Sequence, residues 1–463
     1  MDYEPVLYNA ISGFVRQGRT SFHMPVHGGG KLYGEAAGEF LSLDVTELPE
    51  TDNLACPSGA IAQMHENMAR LFSADHAHVL VGGSSAGIHA MLLACLRRGD
   101  ALLVDRSVHQ SVLNACALYG FVPVFFERDM LPGYSIPGHI NFDSLHRAMQ
   151  DTPHAKAILV TTPTYYGICE DVRALAELAH NQHIPLLADC AHGPHFSFSP
   201  QLPNVATADG ADLCALSLHK TLGAPTQTAL LLHRSDIVDY ARVKSCVNMI
   251  HTTSPSYLLM CAADLVCAKM AHEGEALFAR AARLVQTVRA QLEQDTLLRC
   301  LPNGDTTRLV VNVSAYALTG YDVAQQLADT YAIDVEMADP HNIVCIFGPL
   351  TTEKEANALS SALCAIAGYA NPAAAGAEAP PLLPPIRLAS PPADAFSAPS
   401  EHVPLAESVG RICAATVSTY PPGVPCLIPG ARITDEAAAY LRATLRSGGT
   451  VTGLEDKSVA VLK

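Results

Sequence analysis

The chain has 463 residues, 49% of them hydrophobic and 16% charged, which supports a large buried core and excludes a disordered polymer. A formal charge of -16 works against binding nucleic acid or an anionic membrane surface. Fourteen cysteines stand singly with no CxxC pair, as expected of reduced thiols in a cytoplasmic protein.

The opening residues lack a basic stretch followed by an apolar one, so no signal peptide is expected. No apolar run approaches about 18 residues, so no membrane span is expected either. From about residue 60 to 235, short apolar runs alternate with helical patterns. "HVLVGG" (78–83), "ALLVD" (101–105), "VPVFFE" (122–127) and "KAILVTT" (156–162) read as strands. "IPLLAD" (184–189), "DLCALSLH" (212–219) and "TALLLH" (228–233) continue the series. These runs do not alternate polar with apolar, as befits strands covered on both faces. Strand–helix alternation of this kind predicts a mostly parallel, doubly wound α/β sheet.

A helical stretch over 255–296 then carries the chain out of the large domain. "RLVVNVSA" (308–315) and "NIVCIFGP" (342–349) predict strands of a smaller α+β domain. Residues 371–400 are dense in Ala and Pro and predict an extended connector. The last module mixes a helix with turns. The expected division is 1–296 for the N-terminal segment and large domain, 297–370 for the small domain, 371–400 for the connector and 401–463 for the C-terminal module.

In open parallel sheets, ligands bind outside the carboxyl ends of the strands. Asp189 closes "IPLLAD", and Lys220 follows "DLCALSLH". "GGSSAG" (82–87) ends a strand and opens a helix, and His109 stands just before another helix. Glycines let a ligand approach the backbone, and a helix start favours a phosphate. Taken alone, that segment is a capped helix after a tight turn, and Lys with Asp is a buried ion pair. Taken together they offer an amine, a carboxylate and a phosphate cradle, the three things pyridoxal phosphate requires. Lys220, Asp189 and the Ser84–Ser85–Ala86 turn supply one each. The 20 histidines form no HExxH or paired Cys/His spacing, so no metal site is expected.

These segments fall in an order that resembles the pyridoxal-phosphate-dependent Orn/Lys/Arg decarboxylase family, in its short bacterial form without an N-terminal wing domain. "SFHMPVHGGGK" (21–31) resembles the family's Pro-Gly-His-Lys-Gly-Gly motif, and "DVTELPETDNLACPSGAI" (44–61) its next segment. "VDRSVHQSV", "TTPTYYGICED", "IPLLADCAHGPHFSFSP", "SLHKTLGAPTQTALLL" and "YPPGVPCLIPG" follow in family order. The resemblance implies the pyridoxal-phosphate-dependent transferase-like fold, fold type I. It implies decarboxylation of a basic amino acid, with arginine preferred over lysine and ornithine, and a cytoplasmic homodimer that makes a polyamine or its precursor. It implies that Lys220 carries the cofactor and that Asp189 pairs with its ring nitrogen. His109 would stack on the ring. Ser84, Ser85, Ser217 and His219 would lie at the phosphate, and His192 close to the cofactor. Thr164 and Tyr166 would lie beside cofactor or substrate.

The chain departs from the family pattern at Val26 and Gly28, at Cys190 within Asp189-Cys190-Ala191-His192, at Leu218 before His219-Lys220, and at "ASPPADAF" near 389–396. These departures bear on substrate choice and activity. The same apparatus also serves aminotransferases and other lyases of this fold. A cofactor-binding regulator or partner subunit is a third reading. Release of carbon dioxide rather than a keto acid separates the first two, and a bound cofactor without turnover marks the third.

Overall fold

The computed structural model describes residues 3–18, 24–26, 29–31, 33, 39–373, 382–420 and 423–463. Two compact units emerge. The first joins Met1–Cys95 to Asp171–Ala279, and the second joins Leu96–Glu170 to Arg280–Lys463.

The first unit begins with α1 (Val6–Arg16), α2 (Ala60–Leu71), β1 (His76–Leu80) and α3 (Gly83–Cys95). The second then takes β2 (Ala101–Asp105), α4 (Gln110–Tyr119), β3 (Val122–Phe126), β4 (Arg128–Leu131), β5 (Ile136–Ile140), α5 (Phe142–Asp151) and β6 (Ala157–Thr161). The chain returns to the first unit with α6 (Val172–His180), β7 (Leu186–Asp189), β8 (Leu213–Ser217), α7 (Leu218–Thr221), β9 (Ala229–His233) and α8 (Tyr240–Ile250). The 39-residue α9 (Tyr257–Asp295) follows.

In the first unit the strands lie in the order β1-β9-β8-β7. β7 and β8 are parallel, with Asp189 opposite Ala215. β9 runs antiparallel to β8, and β1 antiparallel to β9. Apolar runs predict burial but not direction. The β8–β9 link, Leu218–Thr228, holds one helical turn, which is too short for a parallel crossover, so β9 must return antiparallel. β7, β8 and β9 are buried along their whole length, as their continuous apolar runs predict. Gly87 lets α3 settle on this sheet. A Cβ there would lie 2.9 Å from Leu80 Cδ1 and 3.4 Å from Ala215 Cβ.

Two long-range carboxylates fasten helix starts in this unit. Asp264 on α9 accepts from the N–H groups of Leu7 (2.8 Å) and Tyr8 (3.1 Å) at the start of α1, where Pro5 offers no capping side chain. It also accepts from the Tyr3 hydroxyl at 2.9 Å. Burial pushes the Asp264 carboxyl up to about 6. Asp52 accepts from the N–H groups of Gly59 (2.8 Å) and Ile61 (2.9 Å) at the start of α2.

In the second unit β2 is parallel to both β3 and β6. The guanidinium of Arg128 is fully committed at the ends of these strands. It donates to Asp105 Oδ1 at 3.0 Å, Glu170 Oε1 at 2.5 Å, and the carbonyls of Gly138 (3.0 Å) and Thr161 (2.8 Å). Neutralising a buried cation with two carboxylates and two carbonyls offsets its desolvation.

Beyond α9 come β10 (Arg299–Cys300), β11 (Arg308–Asn312), α10 (Gly320–Tyr331), β12 (Met337–Ala338), β13 (Asn342–Ile346) and α11 (Glu353–Tyr369). β10-β11-β13-β12 form an antiparallel sheet. Its period-two pattern divides the core. Leu309, Val311 and Ile343 pack with Leu284, Val288, Leu359 and Leu363, while Val310 and Val344 face Ile136, Ile168 and Leu301. α12 (Pro392–Ser397) is a short helix inside the Ala/Pro-rich stretch that the sequence marks as extended. Proline at its first position loses no hydrogen bond, so the composition permits one turn there.

The last residues form β14 (Ser400–Pro404), β15 (Val417–Tyr420), β16 (Val424–Leu427), α13 (Asp435–Arg446), β17 (Thr450–Thr452), β18 (Leu454–Glu455) and β19 (Ser458–Leu462). They make the antiparallel sheets β14-β19-β18 and β16-β15-β17, where the sequence suggests only a helix and turns. The fold class is thus α/β, with mostly parallel strands in the large sheet and smaller antiparallel sheets toward the C-terminus. No helix among the described residues is long and apolar enough to cross a membrane.

Candidate active site

The carboxyl ends of β7 and β8 place the central groups. Asp189 is the last residue of β7 and is only 4% exposed. Its Oδ1 accepts from the Ala191 N–H at 3.1 Å. Among the described residues no cation forms an ion pair with Asp189. A carboxylate so buried is costly unless a positive group meets it. The chain turns at once, with the Gly193 N–H donating to the Cys190 carbonyl at 2.8 Å, and this turn presents His192, also buried.

β8 ends at Ser217, and the single-turn α7 carries His219 and Lys220, both half-buried. Lys220 Nζ lies 3.1 Å from His192 Nε2. His219 Nδ1 lies 3.0 Å from the Thr228 carbonyl. A carbonyl can only accept, so Nδ1 carries the proton and Nε2 is left as an acceptor. Burial holds the His219 imidazole below its usual range, and the Lys220 charge adds to that.

The third component is the start of α3. Gly83 has φ +73° and donates its N–H to the Gln227 carbonyl at 2.8 Å. The first turn, through Ser84, Ser85 and Ala86, presents N–H groups that have no carbonyl of their own helix to bond. The Ser217 hydroxyl donates to Ser84 Oγ at 2.8 Å, tying the end of β8 to the start of α3. Lys220, Asp189, His192, Ser84, Ser85, Ala86, Ser217 and His219 therefore gather around the ends of β7 and β8. The buried Asp189 carboxylate, without an ion pair among the described residues, the primary amine just past the next strand end and the turn of serines match the ring nitrogen, aldehyde and phosphate of pyridoxal phosphate. The residues present fit that group.

His109, Thr164 and Tyr166 belong to the second unit, each held by a local network. His109 precedes α4, where its Nδ1 accepts from the Ser111 N–H at 3.2 Å and lies 2.9 Å from Ser111 Oγ. Thr164 is buried in a tight turn, and its Oγ1 accepts from the Ile168 N–H at 3.2 Å. The Tyr166 hydroxyl donates to Asp339 Oδ2 at 2.8 Å, and burial with that charge pushes its phenol well above the usual range. Neighbouring Tyr165 donates to Glu336 Oε1 at 2.6 Å.

Some groups at the site escape sequence reading. Thr221 is 4% exposed, and its hydroxyl has no hydrogen-bond partner among the described residues. Its place beside Lys220 was the available signal. The carbonyls of Gln227 and Thr228 carry none, since backbone acceptors leave no mark in residue identity. Of the departures from the family pattern, Cys190 is buried with its N–H on the Ala215 carbonyl, and Val26 is exposed. Gly28 lies outside the described residues.

Comparison with known proteins gives a consistent family. Residues 5–304 match the model of the Orn/Lys/Arg decarboxylase major domain, and residues 387–458 match its C-terminal domain. An arginine decarboxylase of Bacillus subtilis (strain 168) is 35% identical over 481 residues, covering 100% of this chain and 98% of that protein. An arginine decarboxylase of Bacillus anthracis is 34% identical, covering 100% of this chain and 97% of that protein. The solved Francisella novicida lysine decarboxylase LdcF superposes with a TM-score of 0.84 at 18% identity, covering 100% of this chain and 82% of that one. At that identity the likeness shows the fold alone, which is fold type I.

Proposed function

The chain belongs to the Orn/Lys/Arg decarboxylase family and is a basic amino-acid decarboxylase, and we propose that it converts arginine to its amine and carbon dioxide with pyridoxal phosphate. Two relatives that match along the whole chain bear the name arginine decarboxylase, which favours arginine over lysine and ornithine. The observation that carries the cofactor assignment is the pair at neighbouring strand ends: a primary amine, Lys220, and a buried carboxylate, Asp189, that forms no ion pair among the described residues.

When bound, pyridoxal phosphate supplies the electron sink for the pair released at Cα as carbon dioxide departs. Lys220 Nζ would be the amine that holds the group at its aldehyde. Asp189 holds a proton on the ring nitrogen, and its burial strengthens that hold because little solvent screens the charge. Ser84, Ser85, the Ala86 N–H and Ser217 would bind the phosphate, with His219 close beside them. His109, its ring fixed through Nδ1, covers the ring. His192 keeps Lys220 in place, and Thr164 and Tyr166 border the substrate. The working form is a cytoplasmic homodimer of subunits divided as 1–296, 297–370, 371–400 and 401–463.

The test is product identification after separate incubation with arginine, lysine and ornithine. The expected products are carbon dioxide and agmatine from arginine, with K220A showing neither turnover nor visible cofactor absorbance. Keto-acid formation, or turnover of lysine and ornithine without arginine, overturns the proposal.

A further inference from the structure

Resting on the reading of Lys220 as the cofactor lysine, we propose that His192 is the proton acceptor for Lys220, taking a proton from its ammonium so that Nζ can attack an aldehyde. One N–H bond breaks at Lys220 Nζ and one forms at His192 Nε2. The positive charge moves from the amine to the imidazole, and the lone pair left on Nζ is the nucleophile.

Geometry carries this. The two nitrogens stand 3.1 Å apart, within hydrogen-bond range. An ammonium has donors only, so the contact requires His192 Nε2 to be unprotonated and to accept. His192 is 5% exposed, on a turn braced by the Gly193–Cys190 backbone bond, so its ring is held at the amine. Two adjacent cations there would repel with little screening, so only one proton is shared between them.

The other titratable groups on the elements packed around this turn are poorly placed for the task. His219 commits Nδ1 to the Thr228 carbonyl. Asp189 accepts from Ala191 and is required at the ring nitrogen. His195 lies further along the turn that follows β7, within Pro194–Phe198. His233 closes β9 opposite Leu213, at the far end from Ser217. The first turn of α3 has no ionisable side chain.

The decisive variant is His192→Gln, which keeps similar bulk and an oxygen acceptor but cannot take the proton. The full chain, freed of cofactor, is treated with formaldehyde and cyanoborohydride across a pH series, and methylation of Lys220 is read by peptide mass spectrometry. Exposed Lys269, paired with Glu273, serves as the internal clock. In H192Q the Lys220/Lys269 labelling ratio should fall about tenfold near neutral pH and recover in alkali, as for loss of one pK unit of assistance. The rate of pyridoxal phosphate uptake should follow the same profile.

An unchanged ratio across the series in a normally melting H192Q overturns the proposal. So does a wild-type ratio that stays flat with pH, which decides the matter even if H192Q fails to fold. Retention of cofactor absorbance in K220A would instead defeat the functional reading, while leaving the labelling result to stand by itself.

Discussion

Acidification should cost the first unit stability, with His65 supplying much of the loss. His65 on α2, His76 and His78 on β1, His233 on β9 and His251 after α8 cluster around Tyr240 and one another. The His65 and His78 rings meet edge-on at 5.6 Å, and His76 stacks on Tyr240 at 3.5 Å. His78 Nε2, His233 Nδ1 and His251 Nε2 are buried without a hydrogen-bond partner among the described residues. Burial holds His65 down to about 4 and lowers His76, His78 and His251 as well. Asp52 near His65 and Asp75 near His76 oppose this, whereas Lys244 reinforces it at His65 and His78.

A histidine whose folded value lies below its unfolded one of about 6.5 binds its proton more readily when unfolded. Stability is therefore whole above about pH 6.5 and falls as pH drops toward about 4. For His65 alone the loss is at most about 3.5 kcal/mol, from a fall from 6.5 to about 4 at about 1.4 kcal/mol per pH unit. Asp264 acts in the opposite sense, since its carboxyl is raised to about 6, and its protonation restores stability as pH falls below that. A bare pH scan would mix the two.

The clean measurement compares wild type with His65→Gln, whose side-chain oxygen can still accept the Val79 N–H that His65 Nε2 accepts at 3.2 Å. The chain has no tryptophan, so urea unfolding is followed by circular dichroism. The stability gap between about pH 7 and about pH 4.5 should shrink by about 2 kcal/mol in H65Q. Equal gaps in the two proteins would refute the reasoning.

Other outcomes follow from single contacts. Asp189→Asn should weaken cofactor retention at least about 100-fold, the equivalent of about 3 kcal/mol for a lost buried charge partner, read by dialysis and visible absorbance. Gly87→Val should lower the melting temperature and cost about 1–3 kcal/mol, because even a Cβ meets Leu80 Cδ1 at 2.9 Å. Arg128→Met should cost about 3–5 kcal/mol by leaving Asp105 and Glu170 buried without their cation, and R128M with D105N should recover part of it in a double-mutant comparison.

How much of this could be read beforehand depends on the range of each interaction. β2, β7 and β8 announce themselves as apolar runs because both their faces are covered, and Asp189 and Lys220 stand out as charged residues at the ends of such runs. β14, β17 and β19 do not, because they are short and largely exposed or covered on one face only. The direction of β9 is set by the length of its link, which periodicity does not encode. The bonds from Asp264 to α1 and from Tyr166 to Asp339 join residues 257 and 173 positions apart, beyond any local pattern. At the site, residue types indicated the amine, the carboxylate and the serines, whereas the approach of His192 to Lys220 needed two strand ends to be brought side by side.

The link Leu218–Thr228 carries several duties at once. It bears the amine, fixes the His219 tautomer through Thr228, and through Gln227 anchors the backbone from which α3 departs. Adding or deleting a residue there would shift all three together. Variation among proteins built this way should therefore appear as substitutions along that link at constant length, with insertions confined to segments that serve a single purpose.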